Sequence, residues 1–341
     1  MRDWGHFDGF YSYSVHELTT SLRAIAEPTR LRLLSVLSRG ELAVSELTRI
    51  LGQSQPRVSR HLKLMWEAGL LDRIQEGSWV FFRMSETGQG ATVARAIKHM
   101  IPVGDAQIQR DLERLEEIKR RRAESADKYF SQIASSWDAI RSLYVPEVEI
   151  EEALIEAIGN RQIETLVDLG TGTGRILQLF GDRIERGIGI DSNQEMLTIA
   201  RSGLEQTQLA HCQARKEDLY QLSMANELAD VVTIHHVLHF LDDPKSALSE
   251  AARILRPGGQ ALIVDFAPHD LEFLRKESNH RRLGFSDKLI TVWGRAAGIE
   301  KDNFRSFSLD RQNEGNELTV NLWVMSKART ATQKHMLRTV R

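Results

Sequence analysis

The chain has few of the residues that mark a secreted, membrane or metal-binding protein. Its 341 residues include a single cysteine, Cys212, which excludes an internal disulfide and a metal site built from several cysteines. The most apolar segment, residues 231–241, is too short for a membrane span and contains three histidines. The first residues lack the apolar core of a signal peptide. We therefore expect a cytoplasmic protein without a membrane partner.

Neither sign of charge is in large excess. The 45 Lys and Arg residues and the 47 Asp and Glu residues give a formal net charge of -2, so any binding of nucleic acid must rest on local charge. The length allows two domains with cores of their own. The patterns below predict an N-terminal domain at residues 1–104, a connecting helix at 105–128, a second domain at 129–327 and a basic, flexible tail at 328–341.

The first hundred residues have the pattern of a small, mostly helical DNA-binding domain. Apolar residues at helical spacing predict four helices, and two β-rich runs after them predict a hairpin. Ser54 is the predicted N-cap of the last helix, and Pro56 lies in its first turn, where a missing N–H costs nothing. This order of elements is that of the winged helix-turn-helix. The helices are predicted at residues 14–26, 28–40, 44–51 and 54–68, and the hairpin strands at 71–75 and 79–84 with a turn at 76–78.

The last of these helices has one polar and one apolar face. Val58, Leu62 and Met65 take the inward positions, and no acidic residue lies among the outward ones. Arginine and lysine suit phosphates and guanine edges, so the outward face favours double-stranded DNA over a merely solvated surface. The predicted DNA-binding residues are Gln55, Arg57, Ser59, Arg60 and Lys63.

Four segments of this domain, residues 27–34, 53–62, 67–71 and 76–83, resemble the ArsR/SmtB transcriptional regulators. The resemblance covers roughly the first hundred residues, and each segment lies at the expected place. It implies a dimer that binds a palindromic operator and releases it when an inducer binds.

The metal ligands of that family are missing. Metal-sensing members carry two cysteines in the third helix, where this chain has Ala43 and Ser45. The alternative metal site of the family needs several carboxylate and imidazole ligands on the last helix, and this chain offers only His99 and Asp105 there. We therefore expect no metal site and an inducer other than a metal.

The connecting segment carries one apolar stripe on a heavily charged helix. We interpret this stripe as the dimer-forming last helix of the regulator, because a one-sided stripe needs a partner. The alternative is a charged linker helix. The stripe consists of Ile108, Leu112, Leu115 and Ile118.

The second domain alternates apolar runs with helical stretches, which predicts a doubly wound, Rossmann-like α/β fold. A glycine-rich turn follows the first strand, and Asp191 ends the second strand. This combination suits a nucleotide-like cofactor, because the Asp191 carboxylate can accept hydrogen bonds from the ribose hydroxyls. Such ligands lie at the carboxyl ends of the strands. The strands are predicted at residues 165–169, 187–190, 209–213, 231–234, 260–266 and 318–325.

Residues 167–174, 189–197, 217–219, 229–232 and 253–259 are similar to the class I S-adenosylmethionine-dependent methyltransferases, in particular the type 11 and quinone-biosynthesis groups. The Arg-Pro-Gly-Gly turn at 256–259, before the fifth strand, separates these proteins from nicotinamide enzymes. The similarity implies S-adenosylmethionine as the cofactor and an antiparallel last strand at the sheet edge.

The same similarity implies a role for each residue of the cofactor site. Asp168 and the backbone at Gly170 and Gly172 would hold the methionine amino group, and Asp191 would hold the ribose. Asp218 would accept from the adenine amino group between Met196 and Leu219, and His235 would lie near the methionyl end. The predicted cofactor-binding residues are Asp168, Gly170, Thr171, Gly172, Gly174, Asp191, Ser192, Met196, Asp218, Leu219 and His235.

The chemistry of methyl transfer adds little to this set. A thiolate or carbanion acceptor needs only to be aligned with the methyl donor, whereas an alcohol or amine acceptor also needs a base. His236 and His239 are the candidates for this base. The alternative is that both histidines have a structural role. The similarity to the methyltransferases also implies that residues 129–138 and 266–293 build the acceptor pocket. Arsenic methylation requires several cysteines, so Cys212 alone argues against it.

Three functions agree with these patterns. The first is a dimeric repressor that responds to S-adenosylmethionine or its metabolites. The second is an active small-molecule methyltransferase that uses the winged helix for feedback or dimerisation. The third is a winged domain that has lost DNA binding and serves as an interaction module.

Overall fold

The computed structural model describes residues 14–76, 79–85, 88–137, 147–308 and 318–329. The chain divides into two compact units, Met1–Arg122 and Ala123–Arg341, and the division falls inside the helix that we expected to connect the domains. The predicted hairpin turn lies partly outside the described residues, as do Asp138 and most of the predicted tail.

The first unit contains the winged helix-turn-helix. Its hairpin joins a three-stranded antiparallel sheet of order β1-β3-β2. The four predicted helices and the hairpin are confirmed, whereas β1 and α5 had no clear pattern in the sequence. The elements are α1 (Val15–Ile25), α2 (Pro28–Leu37), β1 (Leu42–Ala43), α3 (Val44–Leu51), α4 (Gln55–Glu67), β2 (Leu71–Glu76), β3 (Trp79–Met84), α5 (Gly88–Met100) and the first part of α6 (Ala106–Ile133).

Local signals explain where these helices begin and end. Ser14 accepts a hydrogen bond from the backbone N–H of Glu17, whose carboxylate accepts from the Ser14 N–H in return, which forms a capping box. Gly52 ends α3 in the left-handed conformation that a helix C-terminus favours. Ser54 occupies the N-cap position of α4 as predicted, but its side chain makes no capping hydrogen bond.

The core of this unit encloses the apolar face of α4. Val58, Leu62 and Met65 are fully buried, as their inward positions predicted. Ile108 and Leu115 of α6 are buried in the same core. The apolar stripe of the connecting helix therefore has a partner within the chain, and the dimer prediction no longer rests on it.

An ion pair joins α6 to α2. The guanidinium of Arg32 donates to both carboxylate oxygens of Asp111, Nε to Oδ2 at 2.6 Å and Nη2 to Oδ1 at 2.8 Å. Asp111 is 1% exposed and the Arg32 side chain 14%. Arg32 also donates to the backbone oxygen of Leu51, so one guanidinium connects α2, the end of α3 and α6.

The second unit is a seven-stranded sheet of order β6-β5-β4-β7-β8-β10-β9 with helices beside it. The strands β4 to β8 pair in parallel, and β10 is antiparallel to both β8 and β9. This order confirms the doubly wound α/β prediction. The elements are α7 (Glu147–Ile158), β4 (Ile163–Leu169), α8 (Arg175–Phe180), β5 (Ile184–Asp191), α9 (Gln194–Gln206), β6 (Cys212–Lys216), β7 (Ala229–His235), α10 (Pro244–Ile254), β8 (Leu255–Phe266), α11 (Phe273–Glu277), α12 (Asp287–Ala297), β9 (Ile299–Ser308) and β10 (Thr319–Lys327).

Two details of the predicted sheet are wrong. The third strand begins at Cys212 rather than at residue 209, because Gln208 has a left-handed φ of 58° and the Cys212 N–H closes a turn onto the Leu209 oxygen. The last strand, β10, is antiparallel as expected but lies inside the sheet. The edge is β9, whose mostly exposed residues gave no apolar run in the sequence.

The Arg-Pro-Gly-Gly turn also has a different form. It lies within β8 as a bulge, because Ala229 pairs with Leu255 while Val231 pairs with Gln260. Gly258 has a φ of 81° there, which a side chain would disfavour. Among the described residues, no helix has the length and apolar character that crossing a membrane requires.

We predict that Asp111→Ala destabilises the N-terminal unit by about 3 kcal/mol, because it leaves the Arg32 guanidinium partly buried without its carboxylate. Differential scanning calorimetry of the full chain measures this as a lower melting temperature for that unit. Arg110→Ala, on the exposed side of the same helix, is the control and is expected to change stability by less than about 0.5 kcal/mol. Equal melting temperatures for the two variants would contradict a structural role for the pair.

Candidate functional site

The outward face of α4 brings the predicted DNA-binding residues together. All five side chains are exposed, while the opposite face is in the core. Gln55, Ser59 and Lys63 follow one another at intervals of four residues and so form one stripe along the helix. An acid follows them: the Lys63 Nζ lies 3.7 Å from the Glu67 carboxylate, an exposed pair that contributes little.

The glycine-rich loop after β4 is compact because its backbone takes conformations that only glycine adopts easily. Gly170 has a φ of 76° and Gly172 a φ of 52°. A Cβ on Gly170 would lie 2.3 Å from the side chain of Val237. A Cβ on Gly172 would lie 3.6 Å from the indole nitrogen of Trp137, so this indole faces the loop.

Asp191, at the end of β5, holds this loop through its carboxylate. One oxygen accepts the Gly172 N–H at 2.9 Å, and the other accepts the Asn193 N–H at 2.8 Å. Burial raises the pKa of Asp191, and these backbone hydrogen bonds act in the opposite direction. A carboxylate has about four lone-pair sites, so this one retains the capacity to accept from ribose hydroxyls.

The other loop groups show what a ligand would meet. The N–H groups of Gly170 and Thr171 both donate to the Ile190 oxygen at 2.8 Å, so these two donors already have an acceptor within the protein. Asp168 is 1% exposed and accepts from the Thr233 hydroxyl at 2.6 Å. Within the described part of the chain, the buried Thr171 hydroxyl has no hydrogen-bond partner, which fits a ligand that supplies one.

The residues predicted for the adenine follow two neighbouring strands. Asp191 pairs with Lys216, so Asp218 comes two residues after the adjacent strand end. Asp218 is exposed, whereas Met196 is 2% and Leu219 9% exposed. Ser192 is exposed directly after β5, and His235 ends β7 at 7% exposure. Gly174 precedes α8 at the end of the loop. The structure thus brings all eleven predicted residues to one end of the parallel strands.

Asn193 lies in the segment 189–197 that resembles the methyltransferases, but the sequence predicted no role for it. It is 1% exposed, and its amide nitrogen donates to the Asp127 backbone oxygen at 3.0 Å, to the Asp127 carboxylate at 2.9 Å and to the Ser131 hydroxyl at 3.0 Å. Asp127 and Ser131 belong to the last turns of α6. Ser131 in turn donates to the Glu195 carboxylate at 2.8 Å. Residues that lie more than sixty positions apart therefore fix the segment after Asp191, and no local pattern signals this contact.

Aromatic side chains form a cluster beside the loop. The ring of Phe130 lies 5.6 Å from that of Trp137 and 4.8 Å from that of Phe240. Phe130 and Trp137 come from the segment expected to build an acceptor pocket, and Phe240 comes from the short helix after β7.

The two histidines proposed as bases differ in their surroundings. His239 Nδ1 lies 2.8 Å from the Asp265 carboxylate, both groups being nearly fully buried. Burial lowers the pKa of His239 well below its usual range and raises the pKa of Asp265 to about 6. His236 has a left-handed φ of 56° and packs 5.0 Å from the ring of Phe266.

More imidazoles surround this dyad. The ring of His280 lies 4.3 Å from that of His239, and Phe240 lies at 4.0 Å on another side. Burial lowers the pKa of the nearby His269 to about 4. Among the described residues, no group of three or more His, Cys, Asp or Glu side chains is arranged to hold a metal ion.

Two family models match the chain, one in each of its two units. Residues 27–73 match the family model described as bacterial regulatory protein, arsR family. Residues 167–263 match the type 11 family model described as methyltransferase domain.

Two curated relatives and one solved structure are similar to parts of this chain. The arsenical resistance operon repressor of Escherichia coli is 47% identical over 64 residues, 18% of this chain and 55% of that protein. An uncharacterized 37.1 kDa protein in transposon TN4556 of Streptomyces fradiae is 30% identical over 207 residues, 56% of this chain and 55% of that protein. The chain thus spans about half the length of these relatives. The crystal structure of YcgJ from Bacillus subtilis superposes with a TM-score of 0.45 and 16% identity, over 53% of this chain and 98% of that one.

These matches confirm that the chain combines an ArsR-type DNA-binding domain with a methyltransferase domain. The methyltransferase match also indicates S-adenosylmethionine as the cofactor, as predicted.

We predict that Asp191→Ala weakens S-adenosylmethionine binding roughly 10- to 100-fold, because the ribose hydroxyls lose a charged acceptor. Asp191→Asn keeps the size of the side chain and is expected to weaken binding less. Isothermal titration calorimetry on the full chain measures both. The exposed Asp182→Ala in the same unit is the control. If Asp191→Ala binds like Asp182→Ala, the carboxylate does not hold the ligand.

The same titration has an expected pH dependence. The hydroxyls need an ionised acceptor, and burial raises the pKa of Asp191, so affinity is expected to fall on acidification at a less acidic pH than an ordinary aspartate would give. Asp191→Asn is expected to lack this fall.

Proposed function

We propose that this protein is a dimeric ArsR-type repressor whose affinity for its operator depends on S-adenosylmethionine or S-adenosylhomocysteine bound in its second domain. The observation that carries the proposal is the contact of Asn193 with Asp127 and Ser131 on α6, because the backbone N–H of the same Asn193 donates to the Asp191 carboxylate. A ligand that binds Asp191 therefore acts next to a helix that also belongs to the DNA-binding unit.

The earlier part of α6 supports the helices of the DNA-binding motif. Arg114 donates to the backbone oxygen of Ile50 at 2.9 Å, near the end of α3. Arg122 forms an ion pair with Glu46 in the first turn of the same helix. Since α3 directly precedes α4, a shift or a change in order of α6 reaches the helix that carries the DNA-binding residues.

An exposed apolar face on α1 supports the dimer. Val15 is 83% exposed, Leu18 41% and Leu22 42%, and their spacing places them on one side of the helix. A contiguous apolar face of this kind is typical of a protein interface. A second copy of the chain would cover it and would place two α4 helices on one palindromic operator.

The expected coupling is measurable. Titration of the full chain against a duplex that the protein itself selects from genomic DNA, with and without each ligand, is expected to show a change of roughly 5- to 150-fold in the dissociation constant, the usual range for allosteric coupling. An unchanged constant at saturating ligand would overturn the repressor proposal, because linkage requires different affinities for the free and DNA-bound forms.

We predict that the double variant Asp127→Ala, Ser131→Ala reduces this coupling while it leaves ligand affinity within a few-fold. The charge of Asp127 raises the pKa of Asp191, so its loss does not disfavour the ionised carboxylate. The measurement is the ratio of DNA dissociation constants with and without ligand. The exposed neighbour Lys128→Ala is the control and is expected to keep the full ratio. Full coupling in the double variant would exclude α6 as the route.

The His239–Asp265 dyad favours a second candidate function, an active small-molecule methyltransferase. When bound, S-adenosylmethionine supplies a methyl group on an activated sulfonium. Asp265 accepts from His239 Nδ1–H, which leaves Nε2 of the neutral imidazole to take a proton from an alcohol or amine acceptor. Phe240 packs on both His239 and Phe130, so the dyad contacts the aromatic cluster beside the glycine loop.

We predict that His239→Gln lowers kcat by roughly 10²- to 10⁴-fold for an acceptor found in a panel of phenols, quinols and amines. In the unaltered protein the rate is expected to fall below about pH 6, where protonation reaches the dyad through Asp265. The exposed His16→Gln in the other unit is the control. Tight ligand binding without any methylated product would remove this candidate and leave the regulator.

A further inference from the structure

The first unit contains a cavity that is lined only by residues of that unit and has no role in the functions described so far. It has a volume of about 580 Å³ and lies between the start of α3, the exposed face of α4 and the β2–β3 hairpin. Ala43, Val44, Val80 and Phe82 give it an apolar lining. This volume lies within the usual range for a small-molecule site.

Two tryptophans also line this cavity. Trp66 is 44% exposed and Trp79 38%, although both belong to a surface with several exposed cations. The ring of Trp79 stacks on that of Phe81 with 18° between the planes and 6.0 Å between the centroids, which fixes its orientation. Indoles present a large, flat apolar surface, whereas a phosphodiester backbone needs none.

The charged groups of the cavity are cations. Lys63 and Arg73 line it, and no carboxylate is among its lining residues; the Glu67 carboxylate lies 3.7 Å from the Lys63 Nζ, in an exposed pair outside the lining. Arg73 donates to the Gln75 side chain at 2.8 Å, which holds the guanidinium in place without neutralising its charge. The cavity therefore combines flat apolar surfaces with positive charge.

We propose that this cavity binds a flat aromatic or conjugated organic anion, and that this ligand competes directly with DNA. The lining includes Gln55, Ser59 and Lys63, three of the five predicted DNA-binding residues, so an occupant covers part of the surface that would meet the duplex. The site does not depend on the second domain, so it is a separate route to release from DNA.

The test uses 8-anilinonaphthalene-1-sulfonate, an aromatic anion whose fluorescence increases in apolar sites, with the full chain. We expect saturable binding that Trp66→Ala and Trp79→Ala each weaken about tenfold, and that Lys63→Gln with Arg73→Gln weakens to a similar degree. Addition of the selected DNA duplex to the unaltered protein is expected to displace the probe from this cavity, that is, to remove the same fraction of bound probe as these substitutions remove.

The control is Leu64→Ala, an equally exposed apolar residue of α4 outside the cavity, which is expected to bind the probe as the unaltered protein does. Circular dichroism melting confirms that each variant is folded. Probe binding that is the same in the tryptophan variants and in Leu64→Ala would overturn the site. A probe that the duplex does not displace from the unaltered protein would overturn the competition. Neither outcome depends on whether S-adenosylmethionine changes DNA affinity.

Discussion

One half-buried carboxylate organises the loops at the carboxyl ends of the parallel strands in the second unit. Asp191 accepts backbone N–H groups from the loops on both of its sides, Gly172 before it and Asn193 after it. Burying this charge is unfavourable, as its raised pKa shows, and the two hydrogen bonds offset part of that cost. These hydrogen bonds hold the loop in one conformation without a ligand, which would reduce the entropy lost if the proposed cofactor binds there.

The two units arrange their charges in opposite ways. In the first, cations lie on the exposed side of α4, and the one deeply buried carboxylate discussed above, Asp111, has a bidentate arginine. In the second, imidazoles and Asp265 are buried together, and burial keeps the histidines neutral. The net charge of -2 conceals both arrangements. Local placement of charge, rather than its sum, therefore distinguishes the exposed cationic face of α4 from the buried His239–Asp265 dyad.

The parts of the structure that local patterns specify were predictable. The helices α1 to α4, the glycine loop and Asp191 each depend on residues close in sequence. The contacts of Asn193 with Asp127 and of His239 with Asp265 join residues 66 and 26 positions apart, so no periodicity or cap signals them. The edge strand β9 escaped prediction because its exposed polar residues lack the apolar run that marks a buried strand.

Ala43 and Ser45 cannot supply thiolate ligands, so both proposed routes of control over DNA use an organic ligand, and these routes differ in their thermodynamics. A ligand that acts through α6 binds the DNA complex as well as the free protein, so its effect reaches a plateau equal to the coupling factor. A ligand in the cavity beside Trp66 excludes the duplex, so its effect grows with concentration without a plateau. The shape of a titration therefore distinguishes the routes even when both ligands weaken DNA binding equally at one concentration.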